Sequence, residues 1–367
     1  MLYPEAQGVD LTAEQVTALD DTFFQSDPEA YFRSRIDTLL REPAPVDYRE
    51  GLAAQVLGLG LHPALLAKTV AADADRELQV ALDAFALRHH IAECLCRLIW
   101  AVVTARRTPG SSVWVTLTDG PRSGVEVVKV LRKMQARPIP AGDLFLTTAQ
   151  QFAAGAGQAV GVEEAFRVAW AWVMRATELL TSNRLDTNAG NNKLKHGFAV
   201  RAHNDLSMVF MTTPPNEDGT ISAAALNSGV GLIDAISAEF LERLGKRTGR
   251  PGSLEVSLLN LRPDELIAEA TMMATVYGAA FASAADRHFR GRRELTGPPH
   301  RGLPLGPLPH TLARKAVGMR QALTCAVDGT RPRDFTVEHA SGVVTLQPAG
   351  EAVHGVVVVD EGPTPGM

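Results

Sequence analysis

Several common signatures are missing from this sequence. It carries three cysteines in 367 residues, and two of them, Cys94 and Cys96, sit two positions apart on an expected helix. That number and spacing make neither a disulfide framework nor a metal knuckle, so the cysteines read as small buried apolar residues in a reducing compartment. The opening "MLYPEAQGVDLTAEQ" has no basic segment followed by an apolar one, so no secretory signal is expected. The longest apolar run, Leu98 to Ala105, is far short of a membrane span. A cytoplasmic protein without membrane contact is the expectation.

Catalytic motifs are missing as well. There is no Gly-x-x-x-x-Gly-Lys-Ser/Thr phosphate loop, no His-Glu-x-x-His and no Gly-x-Ser-x-Gly elbow. Gly155, Gly157 and Gly161 fall one residue off the dinucleotide fingerprint, and no clear strand precedes them. His89 and His90 are adjacent on a helix, so they point about 100° apart and cannot chelate one metal together. No metal or cofactor is expected. The net charge of -5 and pI near 6.1 exclude a dedicated DNA-coating protein but leave room for a local basic patch.

What is present is ordinary globular composition, with 46% apolar and 21% charged residues, in a chain long enough for one large or two unequal domains. Helix signals dominate. Thr12 suits the N-cap of one helix, and Asp27 before Pro28 suits the start of a second. A long helix is expected from Asp75 to Arg106, with Leu78, Leu82, Phe85, His89, Ala92, Cys96, Ile99 and Val103 as its core stripe. Another spans Val162 to Thr181, and an Ala-rich helix begins at Pro263.

Strands are expected at "SVWVTLT", at "FAVRAH" and "LSMVFMTT", and at "SLEVSLLNL"; "GVEVVKVLRKMQ" fits strand or helix. "ISAAALNSGVGLIDAISAEFLERLG" reads as helix despite Gly229 and Gly231. The tail alternates like strands with a turn at Ala340-Ser341-Gly342. The expected architecture is mainly α, a helical bundle with a small β element: short mid-chain strands and a C-terminal hairpin. The expected division is N-terminal helices over 1–74, a helical core over 75–250, a long helix and Pro/Gly-rich linker over 251–310, and a β segment over 311–367.

Three stretches bear candidate chemistry. In "RHHIAECLCR", Arg88 and His89 fall on or beside the core stripe, while Glu93 and Arg97 make an ordinary i,i+4 pair. In "RHFRGRRELTGPPHR", Arg287, Arg290, Arg292, Arg293 and Arg301 suit phosphates, with Phe289 for stacking, or else complete a solvated helix end. In "NRLDTNAGNNKLKHGFAV", a short helix ending at Gly197 puts Asn192 and His196 on one face. A neutral imidazole beside a carboxamide takes or gives a proton near neutral pH, and Lys193 and Lys195 would favour a phosphodiester. The same residues also suit a plain helix C-terminus.

Asn191-Asn192-Lys193-Leu194-Lys195-His196 resembles the Arg-Asn-x-x-x-His motif of the HEPN family, the "higher eukaryotes and prokaryotes nucleotide-binding" helical domains. It departs from that motif at Asn191, where the family has arginine. Asparagine offers hydrogen bonds but no charge, so Arg88 or Arg184 would have to supply it. The looser Arg-x(4–6)-His pattern occurs at Arg293/His300 in a loop and Arg333/His339 in a strand, and neither place suits a helix cleft.

The resemblance implies a metal-independent ribonuclease, active or degenerate, of a bacterial defence or toxin-type system, built as a homodimer and acting on RNA. On it His196, Asn192 and Arg88 are the catalytic candidates, and Lys193, Lys195 and Asn191 bind substrate. The alternative is a non-catalytic helical protein that binds a partner protein, or a nucleotide or anion sensor.

Overall fold

The computed structural model describes residues 11–41, 73–108, 110–120, 127, 129–131, 142–155, 161–181, 187–210, 216, 220, 222, 224, 230–244, 253–292, 294–312, 316–322, 335–339, 342–346 and 356–360. The helices are α1 (Ala13–Phe24), α2 (Pro28–Leu40), α3 (Asp73–Arg107), α4 (Val113–Asp119), α5 (Gly142–Phe145), α6 (Thr148–Gly155), α7 (Val162–Thr181), α8 (Thr187–Lys195), α9 (Pro263–His288) and α10 (Pro309–Leu312). The strands are β1 (Arg201–Phe210), β2 (Val230–Leu244), β3 (Ser253–Asn260), β4 (Ala316–Ala322), β5 (Phe335–His339), β6 (Gly342–Leu346) and β7 (Val356–Asp360). Helix predominates, and the strands form one antiparallel sheet in the order β6-β5-β4-β3-β2-β1-β7.

Helix starts with local signals form where those signals stand. The Thr12 hydroxyl accepts the Gln15 amide, and the Gln15 side chain accepts the Thr12 amide, closing a reciprocal cap on α1. The Asp27 carboxylate accepts the Ala30 amide at 3.0 Å just ahead of Pro28. The structure departs from the sequence expectation at three elements. "SVWVTLT" is not a strand but helix α4, despite its β-branched residues. Asp20 accepts the Ser112 hydroxyl at 2.6 Å and the Val113 and Trp114 amides at 3.1 Å, so a buried carboxylate 92 residues back caps the helix. Such caps contribute about 1 kcal/mol and complement the helix dipole, enough to overturn a weak strand preference.

The 230–244 part of the expected helix is instead the central strand β2, bonded to β1 on one side and β3 on the other. Leu232, Ile233, Ala238 and Phe240 are buried in it, and a strand covered on both faces loses the alternation that marks strands in sequence. "FAVRAH" and "LSMVFMTT" make one strand, β1, with irregular register between His203 and Leu206. In "GVEVVKVLRKMQ" the described residues, Val127 and 129–131, are helical.

Chain contacts divide the protein into two units, each assembled from three separated stretches. The first comprises residues 1–34, 89–181 and 269–309; the second comprises 35–88, 182–268 and 310–367. In the first, Trp172 is fully buried and donates its indole N–H to the Pro307 carbonyl at 3.0 Å. Phe23 and Phe24 pack against Phe281, with ring centroids 5.1 and 5.4 Å away. α9 is long and apolar enough to cross a membrane by composition, and 78% of its most apolar window is buried in the fold, as in a core helix. In the second unit, α8 packs on β2, and Met208, Leu232, Ile233, Val256, Leu258 and Met319 form an apolar cluster on the sheet.

The Glu29 carboxylate is 3% exposed and lies between two arginines. It accepts from the Arg33 guanidinium at 2.6 Å and from Arg301 at 3.2 Å. Buried carboxylates persist only when paired in this way. Gly278 leaves the room: a Cβ there would stand 2.8 Å from the Glu29 Cγ and closer still to its carboxylate. Glu29 cannot swing aside without abandoning both arginines. Gly278→Ala should therefore cost about 2 kcal/mol in chemical denaturation, and most of that cost should vanish in a Glu29→Ala background. An equal cost in both backgrounds would refute the clash.

Arg301 also hydrogen-bonds Asp27 at 2.6 Å and holds its carboxyl below the ordinary carboxylate range. A depressed carboxylate stabilises the fold above its unfolded pKa of about 3.9, and that contribution is lost as pH falls through the folded value. The stability gap between wild type and Asp27→Asn should be full at neutral pH and close in acid. Thermal unfolding across that range checks it, and a gap independent of pH would contradict the pairing.

Candidate functional site

α8 is a helix that its own residues barely support. Thr187–Lys195 reads TNAGNNKLK, with three asparagines and a glycine among nine residues, all weak helix formers. Docking supplies what propensity lacks. Thr187 and Gly190 face inward, and a Cβ on Gly190 would lie 2.9 Å from Phe240 and 3.2 Å from Leu259. The missing side chain lets the helix backbone sit directly on the sheet. With that face fixed, Asn192, Lys195 and His196 are exposed, and Asn191, Lys193 and Leu194 are half-buried.

The helix end is unusual. The His196 amide donates to the Asn192 carbonyl at 2.9 Å, so the two side chains are one turn apart on the exposed face. The Ala199 amide returns to the Lys193 carbonyl at 3.0 Å. Between them Gly197 has φ 149° and Phe198 has φ 50°. The left-handed conformation expected of a terminal glycine thus extends to a phenylalanine that is 65% exposed. The left-handed backbone at a non-glycine residue costs about 1–3 kcal/mol. Nothing in the sequence singles out Phe198, because the residue type gives no hint of a positive φ.

β1 begins three residues later and brings in another pair that the sequence reading passed over. The His203 ring Nε2 lies 3.0 Å from Glu239 Oε2 on β2, and the Arg201 guanidinium reaches the same oxygen at 3.9 Å. Register places Arg201 opposite Glu239 and His203 opposite Ser237, so the three polar side chains share one face. The pair joins residues 36 apart through a strand whose sequence looks helical, which is why spacing alone does not reveal it.

The other predicted site residues stand elsewhere. Arg88 is 7% exposed on α3, and its guanidinium lies 5.3 Å over the Phe85 ring. Arg88 is thus buried, while Lys195 and His196 are exposed and Lys193 is half-buried. Arg184 lies outside the described residues. On α3, Glu93 and Arg97 pair at 2.7 Å as expected, and burial pushes the Cys96 thiol up to about 12, which removes it as a nucleophile.

The described arginines at and after the end of α9 are engaged with oxygens of the fold, Arg290 and Arg301 while still exposed. Arg287 donates to the Asp143 carbonyl, Arg290 to the Thr148 hydroxyl, Arg292 to Asp21, and Arg301 to Asp27 and Glu29. Arg293 lies outside the described residues. Burial, reinforced by the neighbouring Arg106 cation, lowers the Arg287 pKa to about 10. Among the described residues no group of three or more His, Cys, Asp and Glu side chains is placed to hold a metal.

If Phe198 is retained for what its ring does rather than for packing, Phe198→Gly should leave stability unchanged or raise it by about 1 kcal/mol. Chemical denaturation reads the change; a loss of stability would show that the ring is a structural element. Comparison with protein-family models, curated proteins and solved structures finds no significant match to this chain.

Proposed function

We propose that this protein is a metal-independent ribonuclease whose reacting group is His196. The observation that carries the reading is the exposed pairing of Asn192 and His196 one turn apart at the end of α8, beside Lys193, Lys195 and the unburied Phe198 ring. Each part matches a need of RNA cleavage. Lysines offset phosphate charge, an aromatic face stacks on an unpaired base, and a histidine moves a proton near neutral pH.

In the proposed reaction the ribose 2′ oxygen attacks phosphorus as the P–O5′ bond breaks. His196 takes the 2′ proton and returns it to the departing 5′ oxygen, leaving a 2′,3′-cyclic phosphate and a 5′ hydroxyl. Asn192 orients the imidazole or donates to a phosphate oxygen. Asn191 stands where the HEPN motif has arginine, and Lys193 and Lys195 supply positive charge in its place. Burial makes Arg88 a support of α3 rather than a substrate contact. On this reading the helical part of the chain is a HEPN-like bundle, and the protein works in the cytoplasm as a homodimer in a defence or toxin-type system.

Purified full-length protein incubated with mixed tRNA and mRNA in EDTA should give cyclic-phosphate ends, and an all-DNA oligonucleotide should survive because it lacks the 2′ hydroxyl. His196→Ala should slow cleavage by about 10²- to 10⁴-fold at unchanged stability. Equal cleavage by wild type and mutant, or none by either, would overturn the assignment and favour a non-catalytic binding protein.

A further inference from the structure

A second site lies in the first unit, separate from the α8 residues. An open cavity of about 770 Å³ is bounded by α6, the end of α9 and residues 295–300. That volume suits a small organic molecule. Its apolar lining includes Ala282 and Phe289, both buried, and Leu295 and Pro298. Phe152 on α6 also lines it and is 77% exposed, the most exposed large apolar side chain among the described residues.

The polar groups in the cavity are mostly committed. Asp286 accepts both the Thr148 amide at 3.0 Å and the Thr148 hydroxyl at 2.9 Å, so the start of α6 already has its anion. His300 donates from Nε2 to the Phe145 carbonyl at 2.7 Å and accepts the Gly302 amide on Nδ1 at 3.1 Å. Both ring nitrogens are thus engaged. Arg290 differs: its Nη2 donates to the Thr148 hydroxyl at 2.5 Å, and among the described residues its other donors meet no protein acceptor. Thr148 thereby aims an exposed guanidinium whose remaining fork is open, a geometry suited to a planar or tetrahedral oxyanion.

We infer that this cavity binds a small aromatic anion, with its ring against Phe152 and Phe289 and its acidic group on Arg290. Two observations converge on that chemistry: an uncovered aromatic face, and a positioned cation that touches Asp286 only through the shared Thr148 hydroxyl. The inference stands whether or not the α8 reading does.

The test is fluorescence titration of the full-length protein with 8-anilinonaphthalene-1-sulfonate under native conditions. Saturable binding is expected, weakened about tenfold in Arg290→Gln and in Phe152→Ser, the scale of one charged hydrogen bond. His196→Ala should bind as wild type does. 2-Naphthoate should displace the probe and 2-naphthol should do so far less well. Non-saturable binding, undiminished affinity in Arg290→Gln, or equal displacement by the two competitors would overturn the proposal. Thermal unfolding of each variant separates loss of the site from loss of the fold.

Discussion

Three carboxylates near the start of the chain, Asp21, Asp27 and Glu29, hold the polar segment that follows α9. Asp21 meets His288 at 2.7 Å and Arg292 at 2.7 Å, and Asp27 and Glu29 share Arg301. These pairs span more than 260 residues of sequence. The segment they hold is rich in proline and glycine and has no regular hydrogen bonding to shape it, so side chains must do so. Once it is held, its Pro307 carbonyl is in place for Trp172, and His300 reaches Phe145. Removing one partner of a buried pair such as Glu29 costs more than the pair contributes, because the other charge is left desolvated.

This arrangement also explains why a run of arginines at a helix end is a poor guide to nucleic-acid binding. By composition, Arg287, Arg290, Arg292 and Arg301 look like a phosphate-binding stripe. By partner, three of them are tethers to carbonyl or carboxylate oxygens within the fold. Only Arg290 is aimed by a neutral hydroxyl, which positions the guanidinium without neutralising it. Cationic residues become binding residues when the fold leaves their charge unspent, and that cannot be read from their spacing.

The same distinction separates what the sequence made legible from what it did not. Thr12, Asp27 and the stripe from Leu78 to Val103 announce helices because cap and core lie within a few turns of each other. Asp20 capping α4 and the double burial of β2 depend on partners far along the chain, and local propensity points the wrong way for both. At the candidate site, the Asn192–His196 spacing was visible because helical periodicity is local. The His203–Glu239 pair and the left-handed Phe198 were not, since one needs the sheet register and the other a backbone torsion.

The α8 corner departs from local helix and turn preferences. A stabilising sequence would place better helix formers over 188–192 and a glycine at 198, where the backbone is left-handed. This chain has instead a helix seated closely on Phe240 and Leu259 through Gly190, then an exposed aromatic ring at a positive-φ position. The asparagines and the left-handed phenylalanine each lower local stability, and Asn192 and Phe198 face solvent. These departures from local consistency share one short segment, and the proposed site rests on them. That concentration, rather than the lysines or the histidine taken singly, sets residues 190–198 apart from the well-paired charges of the first unit.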